Sequence, residues 1–230
     1  MSMPRPGRRT RLAAGLVAAT ALLAGCGDAN PGVAVKAGEE TISLREVDTV
    51  AEDFCTALTP QLEAQDPLPL RFIRSGVAGI MAQRSVATQL AEEYDVEPGS
   101  QYDDRVAATQ KGLGELDDGV QEAVLTIDTA GAYIEGVQAA VGDLLLSQEG
   151  APGSPYSERV TRGQQAYDEW IAEHGVEFDP QFGVDLVKGQ IQPVDTSVSY
   201  AVGDMAKAGL AEQPDPANAG SLPSAHTCGG

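Results

Sequence analysis

The chain has 230 residues, of which 15 are Lys or Arg and 34 are Asp or Glu, for a formal net charge of −19. That balance excludes unaided binding to nucleic acid, where cations must replace counterions on phosphates, and disfavours electrostatic docking on an anionic leaflet. At 42% apolar residues it is too hydrophobic to be disordered throughout, and with only 5% aromatics its core must come mainly from Leu, Val, Ile and Ala.

Residues 4 to 11 hold Arg5, Arg8, Arg9 and Arg11, and no acid occurs before Asp28. The apolar stretch Leu12 to Leu23 is too short for a bilayer core of about 30 Å, which needs roughly 20 apolar residues. It reads as an export signal. The segment ends in Leu23-Ala24-Gly25-Cys26, which resembles the lipobox of bacterial lipoproteins. The resemblance implies a signal peptide over 1–25, cleavage ahead of Cys26, and a lipid on Cys26 built from diacylglycerol and palmitate-type acyl chains. An ordinary secretory signal with an incidental cysteine is the alternative. Residues 26–32 would form the lipid-anchored tether. Each buried CH₂ of an acyl chain is worth about 0.8 kcal/mol, so two chains anchor firmly. The expected place is the cell membrane, on its extracytoplasmic face. Loss of the four leader arginines would take the charge from −19 to −23.

Three cysteines are an odd number for an exported chain. With Cys26 assigned to lipid, Cys55 and Cys228 remain, and an oxidising compartment favours their disulfide bond. Two free thiols are the alternative. His174 and His226 do not complete the spacing of a structural zinc site, so neither metal nor cofactor is expected.

Along the mature chain, Val33 to Lys36 and Glu40 to Ile42 flank Gly38 and predict a small β-hairpin. Ser43 and Glu46 form a capping box, followed by apolar residues at helical spacing from Leu44 to Leu58, with Pro60 as the stop. A second helix is predicted from Pro69 to Tyr94, with Arg71, Arg74, Arg84 and Glu92 mostly outside its apolar stripe. A short third helix spans Tyr102 to Gln110. Leu116 to Leu144 keeps helical period as one long run despite Gly119, Gly131, Gly136 and Gly142, each costing about 1 kcal/mol relative to Ala. Close approach of a neighbour at Gly131 would reward it. The fifth helix starts at Ser154-Pro155, with Ser154 as N-cap, and Gly175 is its C-cap. Val176 to Phe178 alternates as a strand, and Asp179-Pro180 turns it. Val194 to Val202 is expected to be extended, and Asp204 to Leu210 helical. The fold class is mainly α: about five helices with a small β-hairpin and a C-terminal return strand. The helical domain would cover 33–185 and an extended C-terminal tail 186–230.

Val33 to Leu44 (VAVKAGEETISL) with Glu46, and Trp170 to Gly183 (WIAEHGVEFDPQFG), resemble the opening and closing blocks of the N-terminal chaperone region of SurA/PrsA extracytoplasmic foldases. Gln181 stands where a basic residue is commoner. The resemblance implies that the return strand pairs beside the hairpin. That family often carries a parvulin prolyl isomerase domain between these blocks. Here the interval from Pro98 to Pro152 is too short for one and helical in period, so isomerase activity is not expected.

No nucleophile elbow, phosphate loop, dinucleotide fingerprint or calcium loop occurs. Paired acids such as Asp103-Asp104 and Asp117-Asp118 read as solvated helix surface in so acidic a chain. The chain is therefore not expected to be an enzyme. The expected function is that of a membrane-anchored chaperone-like module for unfolded or exported polypeptides. Clients would bind in an apolar groove or add a strand to the hairpin edge. Candidate peptide-binding residues are Val35, Ile42, Phe72, Ile73, Tyr167, Trp170 and Phe178. The alternatives are an envelope scaffold lipoprotein with one dedicated partner, and a solute-binding lipoprotein.

Overall fold

The computed structural model describes residues 31–62, 67–196, 202–204, 207 and 219–229. The expected signal peptide, Cys26 and the expected tether up to position 30 lie outside the described residues. So do positions 197–201 of the expected extended stretch and most of the helix expected over 204–210. The described residues from Gly32 onward form one compact unit.

The hairpin consists of β1 (Val33–Ala37) and β2 (Glu40–Ser43), antiparallel, with Val35 opposite Ile42 and Gly38 at positive φ in the turn. Ser43 hands the chain to α1 (Leu44–Leu62) through a reciprocal cap. The Glu46 amide donates to Ser43 Oγ at 3.2 Å, and the Ser43 amide donates to Glu46 Oε2 at 2.7 Å. These bonds hold the Glu46 carboxyl below its ordinary value of 4.5. A carboxylate depressed on folding stabilises above that value and loses its contribution as pH falls through the lowered one. Ser43→Ala is accordingly expected to cost about 1 kcal/mol and to flatten the acid limb of stability below pH 4.5, as measured by urea unfolding at several pH values. Helix α1 runs past Pro60, which sits in the last turn rather than closing it. There the missing N–H removes a single bond near a fraying end.

Strand β3 (Leu68–Pro69) leads into α2 (Leu70–Tyr94), whose Ile73, Val77, Ala82, Val86 and Leu90 are buried. Asp95 ends it in the left-handed region, its amide bonded back to the last turn. Helix α3 spans Ser100–Leu113. The long run expected from Leu116 to Leu144 is instead two helices, α4 (Asp118–Asp128) and α5 (Ala130–Gln148), which makes six helices among the described residues. Thr129 breaks the run with φ −94° and ψ −8°, yet its amide still donates to the Leu125 carbonyl at 3.1 Å. The apolar period passes through this kink unaltered, so it leaves no mark in the sequence.

Helix α6 (Tyr156–His174) lies against α5 along much of its length. Its N-cap is Pro155, while Ser154 stands one residue outside and donates to the Ala151 carbonyl instead. Glycine allows the close crossing. A Cβ at Gly142 would overlap the Arg159 carbonyl, and one at Gly163 would overlap the Gln138 carbonyl. At Gly131, by contrast, there is open space. Gly163→Ala is expected to destabilise by about 1–3 kcal/mol through overpacking, although alanine is the better helix former; a raised denaturation midpoint would contradict the crossing.

After Gly175, β4 (Val176–Phe178) returns and pairs antiparallel with β1, placing Phe178 opposite Val35. The sheet order is β2-β1-β4. A one-turn 3-10 segment (Pro180–Phe182) follows, with Asp179 accepting from the Gln181 amide at 2.9 Å. Next comes a second hairpin, β5 (Val184–Val187) and β6 (Gln190–Pro193), turning on Lys188 and Gly189 at φ 50° and 68°. It straddles position 185, the expected end of the helical domain, and Ile191 sits on Gly79 of α2. Val194 to Thr196 belong to no strand. Finally β7 (Thr227–Cys228) pairs with β3. The Cys55 and Cys228 sulfurs stand 2.17 Å apart, at disulfide distance, with Cα atoms 5.5 Å apart. Among the described residues no helix is long and apolar enough to cross a membrane.

Candidate peptide-binding site

Of the seven apolar residues singled out by sequence, most do not face solvent. Val35, Ile42 and Ile73 are buried in one cluster with Val47, Phe182 and Cys228. Tyr167 and Trp170 belong to a second cluster with Leu90, Val137 and Val141, and Phe178 packs against both. Trp170 is 5% exposed. The Gly38 turn rests on its ring, and His174 stacks on it at 4.3 Å between centroids and 16° between planes. Tyr167 is fully enclosed, and its hydroxyl donates to the Gln83 carbonyl at 2.9 Å. Burial, with Asp168 nearby, pushes this phenol well above its ordinary range.

Phe72 alone is exposed, at 43%. It is next to the buried Ile73 on α2, and neighbours on a helix point about 100° apart. The expected groove is therefore corrected at six of the seven residues, which form core or its margin. Large apolar side chains at helical or strand period report burial, and burial in a core satisfies them as well as burial under a client.

Strand addition has an accessible place. Strand β2 is an outer strand of the sheet, and its Glu40 and Thr41 are exposed. The Glu40 carboxylate nonetheless accepts a bond from Ser85 Oγ on α2, and β2 is only four residues long. Short edges bearing charge resist promiscuous pairing, so this edge suits a client that arrives in register and not any extended chain.

A different region carries polar chemistry that the sequence did not single out. A cleft of about 330 Å³ opens between α2, α3 and α4. Arg84 of α2 reaches into it over the face of Tyr133, its guanidinium carbon 4.7 Å from the ring centroid. It donates to Tyr102 Oη at 3.2 Å and to Thr129 Oγ1 at 3.4 Å. Tyr102 and Tyr133 meet edge to face at 5.2 Å. The other half-buried arginines have acids: Arg74 has Asp48, Arg159 has Asp143 and Arg162 has Glu149. Arg84 is the one half-buried Lys or Arg among the described residues with no carboxylate partner. No sequence signal marks it, because pairing across helices depends on how the helices cross. Among the described residues no group of three or more metal-ligating side chains converges.

Comparison with protein-family models, with curated proteins and with solved structures finds no match to this chain.

Proposed function

We propose that this chain is a lipoprotein, held on the extracytoplasmic face of the cell membrane by a lipid on Cys26. There it acts without catalysis as a chaperone-like module for exported polypeptides, of the SurA/PrsA N-terminal kind. The observation that carries the reading is the pairing of β4 with β1. A hairpin, a series of helices and a strand that returns to the hairpin are the arrangement the sequence resemblance implies. The acidic exterior suits a holdase, since like charge keeps the loaded protein soluble.

The burial of six expected groove residues favours a second reading, an envelope scaffold lipoprotein with one dedicated partner. Aggregation assays separate the two. The full-length protein, purified in detergent, is expected to slow light scattering by a chemically denatured client at stoichiometric ratio. Absence of any slowing, together with recovery of one stoichiometric envelope partner, would leave the scaffold reading in place. The anchor has its own test: mass spectrometry of the membrane-extracted protein is expected to show a diacylglyceryl-modified Cys26 as first residue, and an unmodified amino terminus would remove it.

A further inference from the structure

We propose that the cleft between α2, α3 and α4 captures the C-terminal carboxylate of a polypeptide carrying a basic residue two or three positions upstream. The proposal rests on the peptide-binding reading above and gives that reading its client chemistry.

Arg84 supplies the cation. A guanidinium has five N–H donors, and Arg84 spends one on Tyr102 and one on Thr129, both neutral hydroxyls. Three donors, Nε–H among them, have no protein partner. Tyr133 covers one face of the group and so limits its contact with water. A half-buried charge without a counterion is costly, and an incoming carboxylate offsets that cost with a planar, bidentate match to the fork. In a chain of net charge −19, such a cation left unpaired beside acids one helix face away is a selective feature.

The rest of the cleft chooses among carboxylates. Asp118, Gln121, Glu122, Leu125 and Thr126 of α4, with Thr129 at its C-cap, line it, at spacings of three and four that place them on one helix face. At 1.5 Å per residue, Glu122 lies about 10 Å and Asp118 about 16 Å along the axis from Thr129, where Arg84 is bonded. Val106 of α3 and Leu125 lie with them in the cleft wall. Positive charge thus stands at one end, apolar surface between and negative charge at the other. A free amino acid carries both its charges on one carbon and cannot reach both ends. An extended chain rises about 3.3 Å per residue, so a C-terminal carboxylate and a lysine or arginine two or three residues earlier fit the span.

Fluorescence anisotropy on the full-length protein in detergent tests this with a labelled hexapeptide bearing lysine three residues before its free C-terminus. Controls are its C-terminal amide and the same peptide with glutamate for lysine. Amidation and the lysine-to-glutamate change are each expected to weaken binding about tenfold or more, the loss of one charged pair. Arg84→Met should abolish the preference for free acid over amide. The exposed pair Asp118→Asn and Glu122→Gln should abolish the preference for lysine while leaving that for the carboxylate. This second variant keeps the test decisive if Arg84→Met unfolds. A purely structural Arg84 would leave acid and amide equal in the wild-type protein, and that result overturns the proposal. Suppression of client aggregation without selective hexapeptide binding sinks the cleft assignment and spares the holdase reading. Selective hexapeptide binding without suppression does the reverse.

Discussion

Replacing Trp170 with alanine is expected to lower the unfolding free energy by about 3–5 kcal/mol, the usual cost of emptying a large aromatic site. The ring is almost wholly enclosed, held between the Gly38 turn of the first hairpin and the His174 imidazole. It therefore ties α6 to the sheet, and its removal leaves a void that rigid neighbours fill only in part. Small domains hold only about 5–15 kcal/mol in total, so the variant should sit near the edge of folding at 37 °C. Denaturant midpoints measured by circular dichroism check this. A variant of unchanged midpoint that has lost only client binding would return Trp170 to an exposed groove.

Removing the Cys55–Cys228 link is the second large effect. The two residues are 173 positions apart, and the chain-entropy relation gives about 5 kcal/mol for so long a loop, an upper figure. Cys228 is fully buried against α1 and anchors β7 to β3. Cys55→Ser with Cys228→Ser is expected to cost about 2–5 kcal/mol, a fall in Tm of roughly 5–20 °C for a chain of this size. Dithiothreitol should reproduce the shift in the wild-type protein and leave the double variant unmoved. Thiols that alkylate freely without reductant would contradict the link.

Much of the framework is local and therefore legible. The Ser43–Glu46 cap, the stripe of α2, the Gly175 terminus and the Asp179-Pro180 turn are each written within a few residues of where they act. The features that escaped are products of tertiary approach. Gly136 and Gly142 read as liabilities, yet a Cβ at Gly136 would strike the Pro98 carbonyl and one at Gly142 that of Arg159. The kink at Thr129 hides inside an unbroken apolar period. The second hairpin had a faint signature, glycine at the second position of a two-residue turn, but Lys188 replaces the Asn or Asp that usually announces it. As for the site, aromatic and aliphatic residues announce that they will be covered, not by what. Arg84 is visible as a polar position on α2 and becomes distinctive only when every other half-buried arginine is seen to hold an acid.

The pairing of β1 with β4 also sets a timetable. Synthesis delivers Val35 long before Phe178, its partner across the sheet, and at about 5–20 residues per second the delay is on the order of ten seconds. Throughout that wait one side of the earliest strand is unmatched, and the interval is long enough for neighbouring nascent chains to compete for it. Maturation of this protein should thus be limited by arrival of its own closing strand, and a chain halted before Val176 should be the form most prone to cross-pairing.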